Sequence, residues 1–335
     1  MDPVQLHQSA EDNRHGLPHG HQQGRPHRPF PPGVALLIGL IATSTASTFI
    51  RLAQADAPSL SIAAWRLTLA SMIVAPIAVP RYAREWRYLS WREWALMFTS
   101  GAMLALHFYT WISSLALTSV AASVVLVCTN PLFVALFSYV LLAERLKLPT
   151  VIGLAIGVIG AVIIGVGDAS EGTHRLAGDL LALMGAISLA GHMLIGRRLR
   201  AGLSLIAYIF PVYATAAVLL MIAALITHQP LTGYRPQTWL WLILVAAVPQ
   251  VIGHSSYNWA LGHLPATYVS LTVLAEPIGS TLLAWITLHE SPSGMTVLGA
   301  IMTLVGIGVG TSGGYQDAAT SGDVVCISPP PKQDS

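Results

Sequence analysis

Ten apolar stretches, each about as long as a helix needs to cross a bilayer, follow one another between residues 33 and 313 with short polar punctuation. Their approximate bounds are 33–53, 59–79, 93–116, 120–142, 150–167, 178–196, 203–227, 238–260, 266–288 and 295–313. A hydrocarbon core of about 30 Å takes roughly 20 apolar residues in helical conformation. A membrane β-barrel would alternate apolar and polar residues instead of presenting unbroken runs. The stretches therefore predict an all-α integral membrane protein of ten transmembrane helices. Only 10% of the residues are charged and the mean hydropathy is +0.63. A soluble domain carries roughly 25% charged residues, so lipid and not water has to cover this surface. The net charge of +2 is too small to draw a nucleic-acid partner.

Lysine and arginine in the short connections orient the spans. With the N-terminus inside, the cytoplasmic segments hold 13 of the 17 basic residues, and the outer segments hold Arg51, Arg175 and Arg235. Arg66 lies within a span. The expectation is a multi-pass protein of the plasma (inner) membrane with both termini cytoplasmic. Residues 1–32 are polar, rich in His, Pro and Gln, and lack the pattern of a cleaved signal peptide, so they read as a disordered tail. The spacing of His7, His15, His19, His21 and His27 within it fits no metal site. Residues 316–335 read as a second tail. Cys128 lies in an apolar run and Cys326 in that tail, so two free thiols are expected.

Sliding the sequence by 146 residues aligns it with itself along most of its length. Gly39 meets Gly185, Arg51 meets Arg197 and Leu115 meets Leu261. Further on, Pro131 meets Pro277, Glu144 meets Glu290, Val151 meets Val297, Gly153 meets Gly299, and Gly160 meets Gly306. The repeats are residues 33–167 and 178–313. Each holds five spans, an odd number, so the second half must insert upside down relative to the first. Two inverted five-helix repeats can exchange conformations, and that exchange gives inward-open and outward-open states of a carrier.

The segments Thr118-Ser119-Val120-Ala121-Ala122-Ser123, Thr129-Asn130-Pro131-Leu132-Phe133 and Leu141-Leu142-Ala143-Glu144-Arg145 resemble the EamA-type transporters of the drug/metabolite transporter superfamily. Ala275-Glu276-Pro277-Ile278 and Leu288-His289-Glu290 repeat the pattern, and Trp65-Arg66-Leu67 and Gly178-Asp179-Leu180-Leu181 also fit. The resemblance covers residues 33 to about 313. It implies a ten-helix inner-membrane carrier that exports amino acids or related small metabolites. The chain departs from symmetry where Asn130 in the first half faces Glu276 in the second.

Arg66 and Glu276 are the two charged residues well inside predicted spans, where a charge costs at least a few kcal/mol and must face the bundle interior or a cavity. Glu276, near the middle of span nine, is the candidate for proton coupling; a structural carboxylate is the competing reading. Arg66 either attracts a substrate carboxylate or pairs with an acid or with carbonyls to lock helices. Pro131 and Pro277 each free the carbonyl four residues earlier, at Val127 and Val273, which makes a hinge or a packing kink. His107 and Trp111 are four apart on span three and share a face. His254 and Asn258 repeat that spacing on span eight beside Tyr257. Trp111 meets Tyr257 at the 146-residue offset, whereas His107 and His254 are one position out of register. These groups suit a pocket for an amphipathic metabolite, although Trp and Tyr also mark membrane interfaces. Asn130 joins the candidate substrate-binding residues, and His192 is a weaker candidate. Glu144 and Glu290 read as caps of the following loops, and the glycines of spans five and ten as packing faces.

No paired aspartates, His-Glu-x-x-His pair or serine with a base lies in the spans, so no enzyme is expected. No charged ring or filter-like loop suggests a channel. Metal and cofactor are likewise not expected. The sequence reading is a secondary transporter for a small molecule such as an amino acid, with protons as the candidate coupling ion. A multidrug or nucleoside-like carrier and a non-transporting structural membrane protein are the alternatives.

Overall fold

A computed structural model describes residues 31–118, 120–142, 147–167, 175–288 and 294–312, and every regular element among them is a helix. The chain runs through α1 (Pro32–Ser44), α2 (Ala46–Ala53), α3 (Ser59–Arg87), α4 (Trp91–Leu117), α5 (Val120–Val127), α6 (Asn130–Leu142) and α7 (Leu148–Gly167). It continues with α8 (Arg175–Arg200), α9 (Leu205–Ile226), α10 (Pro236–Val245), a π-helical segment (Ala246–His254), α11 (Ser255–Leu261), α12 (Ala266–Val273), α13 (Glu276–Leu288) and α14 (Gly294–Ser312). Among the described residues, seven helical runs are long and apolar enough to cross a membrane: 32–53, 59–87, 91–117, 122–140, 176–200, 205–226 and 236–261. Leu148–Ile163 and Val297–Gly310 are shorter apolar helices. Large apolar side chains point outward, Ile41 at 63% exposure, Met72 at 62% and Ile226 at 72%. Such a surface suits hydrocarbon and not water. The tails up to residue 30 and from residue 313, with Glu144, Glu290 and Cys326, lie outside the described residues.

Helices outrun their apolar stretches where the ends are polar. The second span, expected over 59–79, continues to Arg87, because its last turn carries Arg84 and Arg87, cations favoured at the negative end of a helix dipole. Ser90 starts α4 with a capping box: its hydroxyl accepts from the Glu93 N–H, and its own N–H donates to the Glu93 carboxylate at 2.7 Å.

The expected continuous spans 120–142 and 266–288 are each broken in the middle. Turns at Cys128–Thr129 and Leu274–Ala275 separate α5 from α6 and α12 from α13, at equivalent positions of the two repeats. Pro131 and Pro277 are thus not kinks inside running helices. Each is the second residue of a new half-helix, where a missing N–H forfeits no bond and the fixed φ suits the first turn.

Equivalent helices of the two repeats pack against each other running in opposite directions. In the α7–α14 pair Gly153 lies against Gly310 and Gly306, while Gly160 lies against Thr303 and Gly299. In the α3–α9 pair the Ser61 hydroxyl donates to the Pro230 carbonyl at 2.7 Å at one end, and the Trp86 indole donates to the Ala207 carbonyl at 2.9 Å at the other. Hydrogen bonds also recur at the 146-residue spacing. Arg51 donates to the Leu115 carbonyl and Arg197 to the Leu261 carbonyl; Gln54 donates to the Ile112 carbonyl and Arg200 to the Asn258 carbonyl.

Candidate binding cavity

A cavity opens where the two helix breaks meet the packed helices α1, α4, α8 and α11. Val127 and Val273, the last residues of α5 and α12, lie in its wall, so both breaks face it. The walls draw on equivalent positions of the two repeats with different chemistry at each: Thr43 and Leu189, Ala46 and His192, Trp111 and Tyr257. The position is shared and the polarity is not. The cavity, partly open to its surroundings, spans about 540 Å³ of space free of protein atoms.

Its polar groups form one cluster. The Tyr257 hydroxyl donates to Glu276 Oε1 at 3.3 Å and lies 3.2 Å from the Thr43 hydroxyl. The Cys128 thiol faces the other carboxylate oxygen at 4.0 Å. Glu276 is the first residue of α13, at the helix end where backbone N–H groups lack intrahelical acceptors and the dipole is positive. The residue expected in the middle of a continuous span thus sits at a half-helix start, a setting better suited to a carboxylate than a running helix.

Four rings stand beside this cluster. His107 stacks on Trp111, with centroids 5.8 Å apart and planes at 14°, and lies 6.2 Å from the His254 ring. His107 Nδ1 lies 3.0 Å from the Gly185 carbonyl. A carbonyl only accepts, so Nδ1 carries the hydrogen and Nε2 is left to the cavity side of the ring. The out-of-register histidine of the second half, His254, is the last residue of the π-helical segment. The Trp111 indole nitrogen is buried with no protein acceptor.

Of the candidate site residues, His107, Trp111, His254, Tyr257, Asn258 and Glu276 line this one cavity, together with the weaker candidate His192. Asn130 and Arg66 do not. Asn130 is buried at the start of α6, its amide 3.2 Å from the sulfur of Met193, which does line the cavity. Arg66 lies one layer behind, its guanidinium carbon 3.9 Å from the centre of the Phe108 ring. Thr43 was not among the candidates. Its signal is a run of hydroxyls, Thr43, Ser44, Thr45, Ser47 and Thr48, within an otherwise apolar span.

A helical membrane bundle with a polar cavity between two sequence repeats is the architecture of a solute transporter. The EamA-like transporter family matches residues 32–166 and again 176–311, and the chain belongs to that family. An uncharacterised transporter of Clostridium kluyveri is 27% identical over 199 residues, covering 56% of this chain and 62% of that protein. The pseudopaline exporter CntI of Pseudomonas aeruginosa is 24% identical over 276 residues, covering 81% and 93%. The aromatic amino acid exporter YddG of Ancylobacter novellus is 28% identical over 223 residues, covering 63% and 73%. One solved crystal structure superposes with a TM-score of 0.67 at 20% identity, over 83% of this chain and 98% of that one, a likeness of fold alone.

Proposed function

We propose that this chain is a secondary carrier that moves a small amphipathic metabolite outward across the inner membrane by alternating access, with Glu276 taking up and releasing the coupling proton. The observation that carries the reading is the cavity itself: two equivalent helix breaks face one polar crevice holding a single carboxylate and several rings. Half-helices that meet at mid-membrane are how carriers bring helix ends and polar groups to a solute. The opposed directions of α7 and α14, and of α3 and α9, support ten spans in two inverted halves. The relatives named as exporters of pseudopaline and of aromatic amino acids support outward transport of a small molecule, and the second supports a substrate that joins charge to a ring. We take His107, Trp111, His254, Tyr257 and Asn258 as its contacts, Asn130 as their support, and both termini as cytoplasmic.

Counterflow in proteoliposomes tests this directly. Vesicles loaded with unlabelled amino acids are given labelled ones, and exchange of some members of the panel is the expected result. Folded protein that exchanges neither amino acids nor drugs and nucleoside-like solutes would overturn the carrier reading.

A further inference from the structure

Arg66 is fully buried, on α3. Its Nε donates to Gln250 Oε1 at 2.8 Å across to the π-helical segment. That bond turns the amide nitrogen of Gln250 away, and this nitrogen has no protein acceptor. Neither Nη1 nor Nη2 of Arg66 has one either. The acid or carbonyl that would lock Arg66 structurally is therefore not what meets its two terminal nitrogens.

The energetics leave this arrangement incomplete. Burying a guanidinium is costly, and a cation over a ring returns only part of that cost even when desolvated. The Phe108 ring beneath the guanidinium thus offsets only part of the cost. Each buried donor left without a partner adds to the cost. The two terminal nitrogens form a planar fork that holds one carboxylate through parallel hydrogen bonds, or one halide between them. The place adjoins the cavity, since the guanidinium carbon lies 6.0 Å from the centre of the cavity-lining Trp111 ring.

We infer that Arg66 and Gln250 form a binding site for a small monovalent anion, a carboxylate or a halide, beside the cavity. The site deepens the carrier reading where the anion is the carboxylate end of the solute, and stands without it where the anion is a free ion.

The test is the unfolding temperature of the purified full chain in detergent, in chloride, formate or gluconate at equal ionic strength, gluconate being a carboxylate too bulky for a fully buried fork. Chloride and formate are expected to raise it by several degrees over gluconate, with saturation. Stabilisation by chloride assigns the site to a free ion; stabilisation by formate and not by chloride assigns it to the carboxylate of a transported solute. Gln250→Glu places an internal carboxylate against the guanidinium, so this variant is expected to lose the anion response and to gain stability in gluconate. Arg66→Lys keeps the charge without the fork and is expected to need more anion for the same shift. Equal unfolding temperatures of the wild type in all three salts overturn the site, and so does an undiminished response in Gln250→Glu. Should Gln250→Glu not fold, the wild-type titration decides. Counterflow without any anion response removes this site and leaves the carrier; an anion response without counterflow removes the carrier and leaves the site.

Discussion

Tyr257 holds Glu276 by its hydroxyl, donating to Oε1 across 3.3 Å, and shares that hydroxyl with Thr43 at 3.2 Å. A proton on the carboxylate competes with this bond and with any amine that approaches it. Under the carrier reading the charge state of Glu276 therefore sets whether solute or proton occupies the cavity. Glu276→Gln keeps the shape and removes the titration. Its exchange rate is expected to be flat between acid and neutral pH where the wild type varies. Tyr257→Phe should keep the pH response but weaken solute binding several-fold. Measuring counterflow of both variants at two pH values checks this; an unchanged pH response in Glu276→Gln would rule out Glu276 as the coupling group.

The α7–α14 pair closes on glycine. A Cβ on Gly160 would come 2.6 Å from the Thr303 backbone nitrogen, and one on Gly153 or Gly306 would strike backbone of the facing helix. Backbone cannot swing aside as a side chain does, so Gly153→Ala and Gly306→Ala are expected to cost roughly 1–3 kcal/mol through overpacking. Gly308→Ala is the control, since a Cβ there meets nothing within 4 Å. Unfolding temperatures of the three variants in detergent give the comparison, and an equal effect at Gly308 would refute the packing account.

Outside the spans, Asp56 holds the start of α10. Its Oδ2 accepts from the Arg235 backbone N–H at 2.9 Å and from the Thr238 hydroxyl at 2.8 Å. These bonds, led by the one from Arg235, hold the Asp56 carboxyl below its ordinary value of 3.8. With the folded value the lower of the two, the stabilisation is complete above 3.8 and fades as pH falls through the folded value. Asp56→Asn is expected to lower the unfolding temperature at neutral pH and to match the wild type in strong acid. A gap that persists at acid pH would mean the carboxylate charge is not what matters.

Much of this fold is legible in the chain because a bilayer imposes a simple rule: about twenty apolar residues make a crossing. Apolar length gave the positions of α3, α4, α8 and α9, and the 146-residue offset paired Arg51 with Arg197 before any bond was visible. Hydropathy averages over a window, however, and does not register a two-residue turn. The breaks at Cys128–Thr129 and Leu274–Ala275 were therefore hidden, and Glu276 looked like a mid-helix charge. Helix spacing puts His107 with Trp111 on one face and His254 with Asn258 on another, but which faces meet is a matter of packing between distant helices. That is why the sequence leaves Arg66, one layer behind Phe108, between a substrate contact and a helix lock. Thr43 and Gln250 were passed over because a single neutral polar residue barely lowers the apolarity of a span.

The paired arginines lead to a prediction about the transport cycle. Arg51 donates to the carbonyl of Leu115 near the end of α4, and Arg197 to that of Leu261 at the end of α11, at 3.1 Å. Carbonyls at a helix C-terminus lack intrahelical donors, and cations are favoured there, so each bond ties the first span of a repeat to the third span of the same repeat. If the halves are inverted, the two ties sit at opposite membrane faces, and loosening one favours the state open to its own face. A charge-assisted hydrogen bond contributes roughly 1.5–3 kcal/mol, enough to change the ratio of two states about tenfold or more. The readout is Val273→Cys, in the cavity wall, on a background with Cys128 and Cys326 replaced by serine. A membrane-impermeant thiol reagent is applied from either side. Arg51→Ala is expected to raise labelling from one side and Arg197→Ala from the other. Increased labelling from the same side in both variants would exclude the inverted arrangement, because equivalent ties would then act at one face.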